Sequence, residues 1–417
     1  MLIKRDLYLN RLNLRKHNGL IKVITGIRRS GKSFLMNKLF YGSLKDSGTD
    51  DAHIIRFAFD DYENKQLRNP ELFYPWLKKQ IKDSKMHYVL LDEVQLLEDF
   101  EAVLNGLMRL DNIDIYVTGS NSRFLSTDVL TEFRGRGDEV HIMPLSFAEF
   151  CSAFNGTSEE AWQEYYTYGG LPYLLNLKTE EQKTGYLQRL FQETYIRDII
   201  DRNKLRNTSE FSALLDILSS STGSYSSIAK LAATFKSAGH TNISPVTLSS
   251  YTRCLEDAYI ISKAQRYNVK GRKYIGSPVK YYFEDVGLRN ARLNFRQLEE
   301  NHVMENIVYN ELRIRGYSVD VGVIETREKD SSGKSLRHQL EVDFVANMGN
   351  RRYYIQSAFT MYNPEKEQQE KRSLKLISDS FKKIIVVRET ILPQRDENGI
   401  LTIGLLPFLL NSNSLEI

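Results

Sequence analysis

The sequence predicts an α/β protein whose first third is a parallel sheet wrapped by helices, followed by helical and mixed α/β modules. Three observations carry that prediction. Apolar stretches of strand length at 20–25, 53–59, 86–91 and 114–118 alternate with helical stretches after residues 33 and 70, the pattern of strands joined by crossover helices. A glycine-rich turn joins the first strand to the first helix. Late in the chain, a helix from Asn301 precedes three strands, a further helix and a fourth strand. A chain of 417 residues exceeds one compact core, and the pattern divides into modules at 1–145, 146–220, 221–290 and 291–417.

Composition narrows the setting. Cys151 and Cys254 are too few to staple a secreted scaffold and fit a reducing compartment. The seven histidines are scattered and show no zinc-ligand spacing. Charges at Lys4, Arg5 and Asp6 interrupt any signal-peptide core, and the longest late apolar run, 405–410, is far below membrane-span length. A cytoplasmic, water-soluble protein with no membrane partner is expected. The net charge of +4 is uneven, since residues 218–290 hold ten Lys/Arg against four Asp/Glu. A polyanionic partner is therefore sought there.

The first strand delivers Gly26-Ile27-Arg28-Arg29-Ser30-Gly31-Lys32-Ser33, a full G-x-x-x-x-G-K-[ST] match. Its glycines let successive N–H groups turn inward around a phosphate, and the following helix points its positive end at the same anion. The cradle is expected to run from Gly26 through Phe34 and to bind ATP. Lys32 reaches the terminal phosphates and the Ser33 hydroxyl holds Mg²⁺. The side chains of Arg28 and Arg29 are expected to face solvent or a partner. The strand at 86–91 ends in Asp92-Glu93, placing Asp92 to hold Mg²⁺ through water and Glu93 to polarise an attacking water. The strand at 114–118 ends in Gly119-Ser120-Asn121, where Ser120 and Asn121 are candidates for contact with the γ-phosphate or the lytic water. A plain polar turn is the competing reading.

These stretches, 26–33, 88–93 and 118–121, resemble the AAA-type ATPase core. Phe133-Arg134-Gly135-Arg136, Met143-Pro144-Leu145-Ser146-Phe147 and Tyr168-Gly169-Gly170-Leu171-Pro172 narrow the resemblance to a prokaryotic, archaeal-ATPase-like group with a C-terminal domain of unknown function. The resemblance implies ATP binding and slow hydrolysis. Arg136 matches the group's Gly-Arg, and its guanidinium is implied to stabilise charge on the transferred phosphate, within one chain or across a homo-oligomer. Arg134 is its rival, and a surface arginine paired with Asp138 or Glu139 is the alternative.

Residues 146–220 carry apolar positions three and four apart, including Leu187, Leu190, Phe191, Tyr195 and Ile199, and are expected to form a helical lid over the nucleotide. Residues 221–290 read as a winged helix-turn-helix. The first helix is 226–235, the turn 239–242, and a second helix enters through Ser244-Pro245, with Thr247, Ser249, Ser250, Thr252 and Arg253 as base-facing candidates. A basic hairpin wing follows, with six Lys/Arg and no acid over 263–280. Duplex DNA along 244–280 is the partner class this suits, although winged helices also pack against protein.

The last module resembles the PD-(D/E)xK nuclease core, an α/β restriction-endonuclease-like fold. Asp343 stands where the first strand acid belongs and Glu305 could assist from the helix. The second acid and the lysine fall in Gln356-Ser357-Ala358, where neither occurs. Cleavage is therefore not expected. The combined expectation is an ATP-hydrolysing AAA-type ATPase that couples nucleotide state to its C-terminal modules in association with DNA. A nucleotide-switched signalling or assembly protein is the alternative, and a metal-dependent nuclease the third reading.

Overall fold

A computed structural model describes residues 3–119, 135–237, 243–329, 335–361 and 363–417. Ser120, Asn121, Arg134 and the expected turn at 239–242 lie outside the described residues. The chain forms two compact units. One comprises Met1–Pro144, Leu171–Tyr173 and Asp257–Tyr259; the other comprises Leu145–Gly170, Leu174–Glu256 and Ile260–Ile417.

The first unit is built on β1 (Ile21–Thr25), β2 (Ile54–Ala58), β3 (His87–Asp92), β4 (Ile113–Thr118) and β5 (Gly137–His141). They form a parallel sheet in the order β2-β3-β4-β1-β5. Both faces are covered, as the near-continuous apolar strands require. Alternation along β3 sends Val89 and Leu91 into one core with Phe57, Phe59, Phe73 and Leu104. Tyr88 and Leu90 enter the opposite core with Tyr8, Leu12, Leu35, Met36 and Phe40. Each such buried side chain contributes about 1.5–3 kcal/mol. The one charge inside β1, Lys22, is buried against Asp114 and lies 4.9 Å from the centre of the Tyr116 ring. Helix Pro70–Gln80 starts where Asn69 Oδ1 accepts the Glu71 amide and Pro70 supplies a preset first turn.

Parallel strands bring their carboxyl ends to one edge, so the turns after β1, β3 and β4 gather there. The helical run after β1 begins as Lys32–Phe34, loosens to a π-helix over Leu35–Phe40 and resumes as Tyr41–Asp46. Such π segments recur at functional sites.

In the second unit, helices Phe147–Ala153, Ser158–Tyr168 and Glu180–Arg189 each open with a reciprocal capping box, through Ser146/Glu149, Thr157/Glu160 and Thr179/Gln182. Helices Thr208–Ser220, Ile228–Ser237 and Pro245–Asp257 follow, the last capped by Ser244 Oγ on the Thr247 amide at 3.1 Å. Ser226, between the first two, bridges Val279.

The basic hairpin is not a detached wing. Its strands β6 (Ile261–Asn268) and β7 (Lys273–Phe283) form the edge of an eight-stranded sheet. β6 pairs in parallel with β8 (Ser318–Lys329), so the backbone edge left open in a two-stranded wing finds partners here. The sheet continues through β9 (Ser335–Met348), β10 (Arg351–Ala358), β11 (Lys382–Val387), β13 (Leu401–Gly404) and β12 (Gln394–Arg395). The expected helix–strand–strand–strand–helix–strand order is present as Glu300–Ile314, β8, β9, β10, Pro364–Lys375 and β11. β12, β13 and helix Leu405–Leu410 were not foreseen. Among the described residues no helix is long and apolar enough to cross a membrane.

Candidate nucleotide site

Gly26 has φ 133° and Gly31 φ 100°, backbone settings that side chains resist. A Cβ on Gly26 would lie 2.1 Å from the Ile142 carbonyl oxygen, whereas one on Gly31 would meet only Arg5 Nη1 at 3.9 Å. The first glycine therefore permits close packing on the chain as it leaves β5, and the second keeps the cradle open. Lys32 is buried and donates to the Gly26 and Ile27 carbonyls, both at 2.9 Å, so its ammonium lies within the loop. Arg5, ahead of the first helix, braces the loop from behind by donating to the carbonyls of Ser30 (3.1 Å) and Met143 (2.8 Å). Sequence reasoning missed Arg5, because a lone arginine near the start carries no motif. Ser30 is fully buried, Arg28 half-buried and Arg29 exposed, while Phe34 is 41% exposed on the first helical turn.

Asp92 is the hub. Its Oδ1 accepts from Ser33 Oγ at 3.0 Å and from Thr118 Oγ1, and its Oδ2 accepts from Asn37 Nδ2 at 2.9 Å. Burial pushes its carboxyl above the usual value; the bonds from Thr118 and Ser33 oppose this, while Glu93 and Asp60 add to it. A buried, partly uncompensated carboxylate beside a hydroxyl offers hard oxygen ligands only, the set that suits Mg²⁺. Main-chain cradle, inward lysine and oxygen pair together fit a nucleoside triphosphate with its divalent ion.

Glu93 takes a left-handed conformation, φ 51° and ψ 46°, which a glutamate adopts at a cost of about 1–3 kcal/mol. Its amide donates to Thr118 Oγ1 at 3.2 Å and its carboxylate accepts from Gln95. Thr118 thus ties Asp92 and Glu93 together. Sequence reasoning missed Thr118 in favour of Ser120 and Asn121; its place as the last residue of the strand beside β3 is the signal that could have found it. Asn37, one turn after Ser33, was likewise missed.

Arg136 is not brought to the loop within this chain. β5 pairs with β1 so that Gly137 faces Ile21 and His141 faces Thr25. Arg136 therefore lies ahead of the amino end of β5, about 20 Å along the strand direction from the turn after β1 at 3.3 Å per residue. It is exposed, and its carbonyl accepts the Ile21 amide at 2.9 Å. The acids named as its alternative partners are otherwise engaged, Asp138 by Arg15 (2.9 Å) and Asn18 (2.8 Å), Glu139 by Thr25 (2.6 Å) and Tyr259 (2.8 Å). A catalytic role in the same chain does not fit this geometry.

The second unit holds a separate polar cluster. Asp343 on β9 and Glu305 from helix Glu300–Ile314 are brought together as expected, but Lys280 of β7 stands between the carboxylates. Its Nζ lies 3.0 Å from Glu305 Oε1 and 2.6 Å from Glu341 Oε1, and Tyr282 donates to the same Glu305 oxygen at 2.6 Å. Burial opposes the lysine's charge, yet Glu305, Asp343 and Glu341 hold its pKa above the usual value. Burial and Glu305 raise that of Asp343, whose Oδ2 accepts the Ser357 amide at 2.7 Å. Gln356 Oε1 on β10 is buried without a hydrogen-bond partner.

The basic surplus over 263–280 is partly consumed internally. Lys280 is buried in that cluster, Arg266 is buried and donates to Gln339 at 2.6 Å, and Lys263 faces Glu256 at 3.6 Å. Lys270, Arg272 and Lys273 at the hairpin tip are exposed, beside Tyr274. On helix Pro245–Asp257, Ser249, Ser250 and Arg253 are exposed. Thr252 is buried and bonded to the Leu248 carbonyl, which removes it as a base-reading candidate.

The AAA domain family model matches residues 18–151, the stretch that carries the loop, Asp92 and Glu93. Residues 159–299 match a domain of unknown function, DUF8612. An uncharacterized protein of Haemophilus influenzae is 31% identical over 415 residues, covering 98% of this chain and 99% of that one. The chain belongs to the same family as that protein. The uncharacterized protein MJ1544 of Methanocaldococcus jannaschii is 28% identical over 375 residues, 86% of this chain and 79% of that one. Among solved structures, Cdc6p from Pyrobaculum aerophilum overlaps 74% of this chain and 96% of its own at 11% identity and a TM-score of 0.30, a likeness too loose to transfer architecture.

Proposed function

We propose that the chain binds and hydrolyses ATP. The observation that supports this most is the convergence of Lys32, Ser33 and Asp92 beside a Glu93 held in a strained backbone. Lys32 would leave the loop carbonyls to bind the terminal phosphates, and Ser33 and Asp92 would hold the ion. Bound there, Mg²⁺ supplies neutralisation of phosphate charge. Glu93 would orient the attacking water and draw its proton. Arg136 would act only on a neighbouring copy's nucleotide. Calorimetry and phosphate release test the reading: Lys32→Ala should lose MgATP binding, and Glu93→Gln should keep binding while turnover falls about 100-fold or more. Undiminished turnover in Glu93→Gln would remove Glu93 from its role.

We further propose association with duplex DNA, supported by the exposed hairpin-tip cations. The three helices within 208–257, the Ser226–Val279 bridge and the β6–β7 hairpin also follow a winged-helix order. Fluorescence anisotropy with duplex DNA at two salt concentrations should show affinity falling steeply with salt. Salt-independent or absent binding would favour the signalling or assembly reading.

A further inference from the structure

At the opposite end of the five-stranded sheet from Lys32, three side chains with metal-binding atoms come together. β2 and β3 run parallel with Ile54 opposite Tyr88, so the preceding residues, His53 and His87, stand side by side with ring centroids 4.8 Å apart. Asp83, in the turn that enters β3, places its two carboxylate oxygens 3.1 and 3.0 Å from His53 Nε2. One ligand atom from each of the three lies within 4.8 Å of the others.

The turn is braced independently of any ion. Asn112 Nδ2 donates to the Asp83 carbonyl at 2.9 Å, and the Lys85 amide donates to Asp83 Oδ1 at 2.8 Å. The His87 amide donates to the Asn112 carbonyl at 2.8 Å. His87 Nδ1 donates to the Lys85 carbonyl at 2.8 Å, which fixes the tautomer and leaves the lone pair on Nε2, the arrangement that orients ligating imidazoles. His87 is buried, His53 half-buried and Asp83 exposed, so an ion can enter from solvent past the carboxylate.

We propose that His53, Asp83 and His87 form a structural site for a borderline divalent transition ion of the Zn²⁺ class. Two imidazole nitrogens and one carboxylate oxygen supply three ligands, and water completes the shell. The ion takes the place of the hydrogen between His53 Nε2 and Asp83, the neutral imidazole then carrying its single proton on Nδ1. On His87 Nε2 it displaces a long 3.3 Å contact from the Lys82 amide. Mg²⁺, which prefers oxygen ligands, is a poor match, so this site is chemically distinct from the Ser33–Asp92 pair. β2 is an edge strand, and the ion would fasten it to β3 and to the turn at 83–87.

Metal-free full-length protein titrated with ZnCl₂ in a calorimeter should bind one equivalent with this site's signature. His53→Ala and Asp83→Ala should each weaken that binding about 10- to 100-fold. CoCl₂ should give visible absorption bands in the wild type that both variants lose, while MgATP binding stays unchanged. Zn²⁺ at about 100 times its Kd should also raise the melting midpoint by roughly 5 °C. Asp83→Asn, which preserves size, serves as the deciding variant if His53→Ala does not fold. Absence of Zn²⁺ binding at 100-fold excess over about 10 μM protein, or equal affinity in wild type and Asp83→Asn, would overturn the proposal.

Discussion

Thr118 shows how much a single hydroxyl can decide. It donates to Asp92 and accepts the Glu93 amide, so one side chain sets the aim of both candidate catalytic acids. Thr118→Val keeps the shape and removes both bonds. We expect a loss of about 1–3 kcal/mol in stability and a fall of about tenfold or more in phosphate release, with MgATP affinity altered less than about threefold. An unchanged turnover would separate Thr118 from the chemistry. Asp285 is a second case. Buried at the N-cap of helix Val286–Arg292, it accepts the Gly170 amide at 2.9 Å and the Leu288 amide at 3.0 Å, while burial pushes its pKa up to about 6. Its folded pKa exceeds the unfolded value near 3.9, so its protonated form favours the folded state. Its contribution is greatest below about pH 4 and is lost as pH rises to about 6, a change on the order of 2–3 kcal/mol. Melting curves between pH 4 and 7 should show a falling component that Asp285→Asn abolishes.

Among the elements, the β6–β7 hairpin carries two roles at once. Its tip presents Lys270, Arg272 and Lys273, and its root inserts Lys280 among three carboxylates. The ammonium there balances the charge of Glu305, Glu341 and Asp343. Lys280→Met would leave Glu305, Glu341 and Asp343 without their cation, and breaking a buried pair in this way costs about 3–5 kcal/mol. Glu341→Gln should cost less, since that side chain is 30% exposed. Thermal melts of the two variants check the ranking; equal effects would argue against Lys280 as the central counter-ion.

For the whole molecule, the two tryptophans report on different units. Trp76 packs against Phe57 and Phe73 in the first unit, and Trp162 donates to Glu300 Oε1 at 2.7 Å in the second. In Trp162→Phe, fluorescence follows the nucleotide unit alone. MgATP at about 100 times its Kd should stabilise that unit by about 2.7 kcal/mol, and the shift should vanish in the Lys32→Ala background. No shift in the Trp76 signal at saturation would contradict nucleotide binding in this unit.

What was legible in the sequence was local. Strand–turn–helix order around Gly26–Ser33, the apolar run into Asp92-Glu93 and the Ser244 cap are set by residues a few positions apart, and period and capping chemistry write them into the chain directly. The order of elements after residue 300 was legible for the same reason. Contacts between distant segments were not. Arg5 behind the loop, Thr118 across to Asp92, Lys280 against Glu305 and Glu341, and His53 beside His87 each depend on strand register, which brings together residues separated by tens of positions. Register also placed Arg136 at the far end of β5 and fused the basic hairpin to the C-terminal sheet. Local pattern alone marks residues whose chemistry suits a phosphate and its ion; which buried charges face one another follows from strand pairing and packing, because these choose neighbours far apart in the chain.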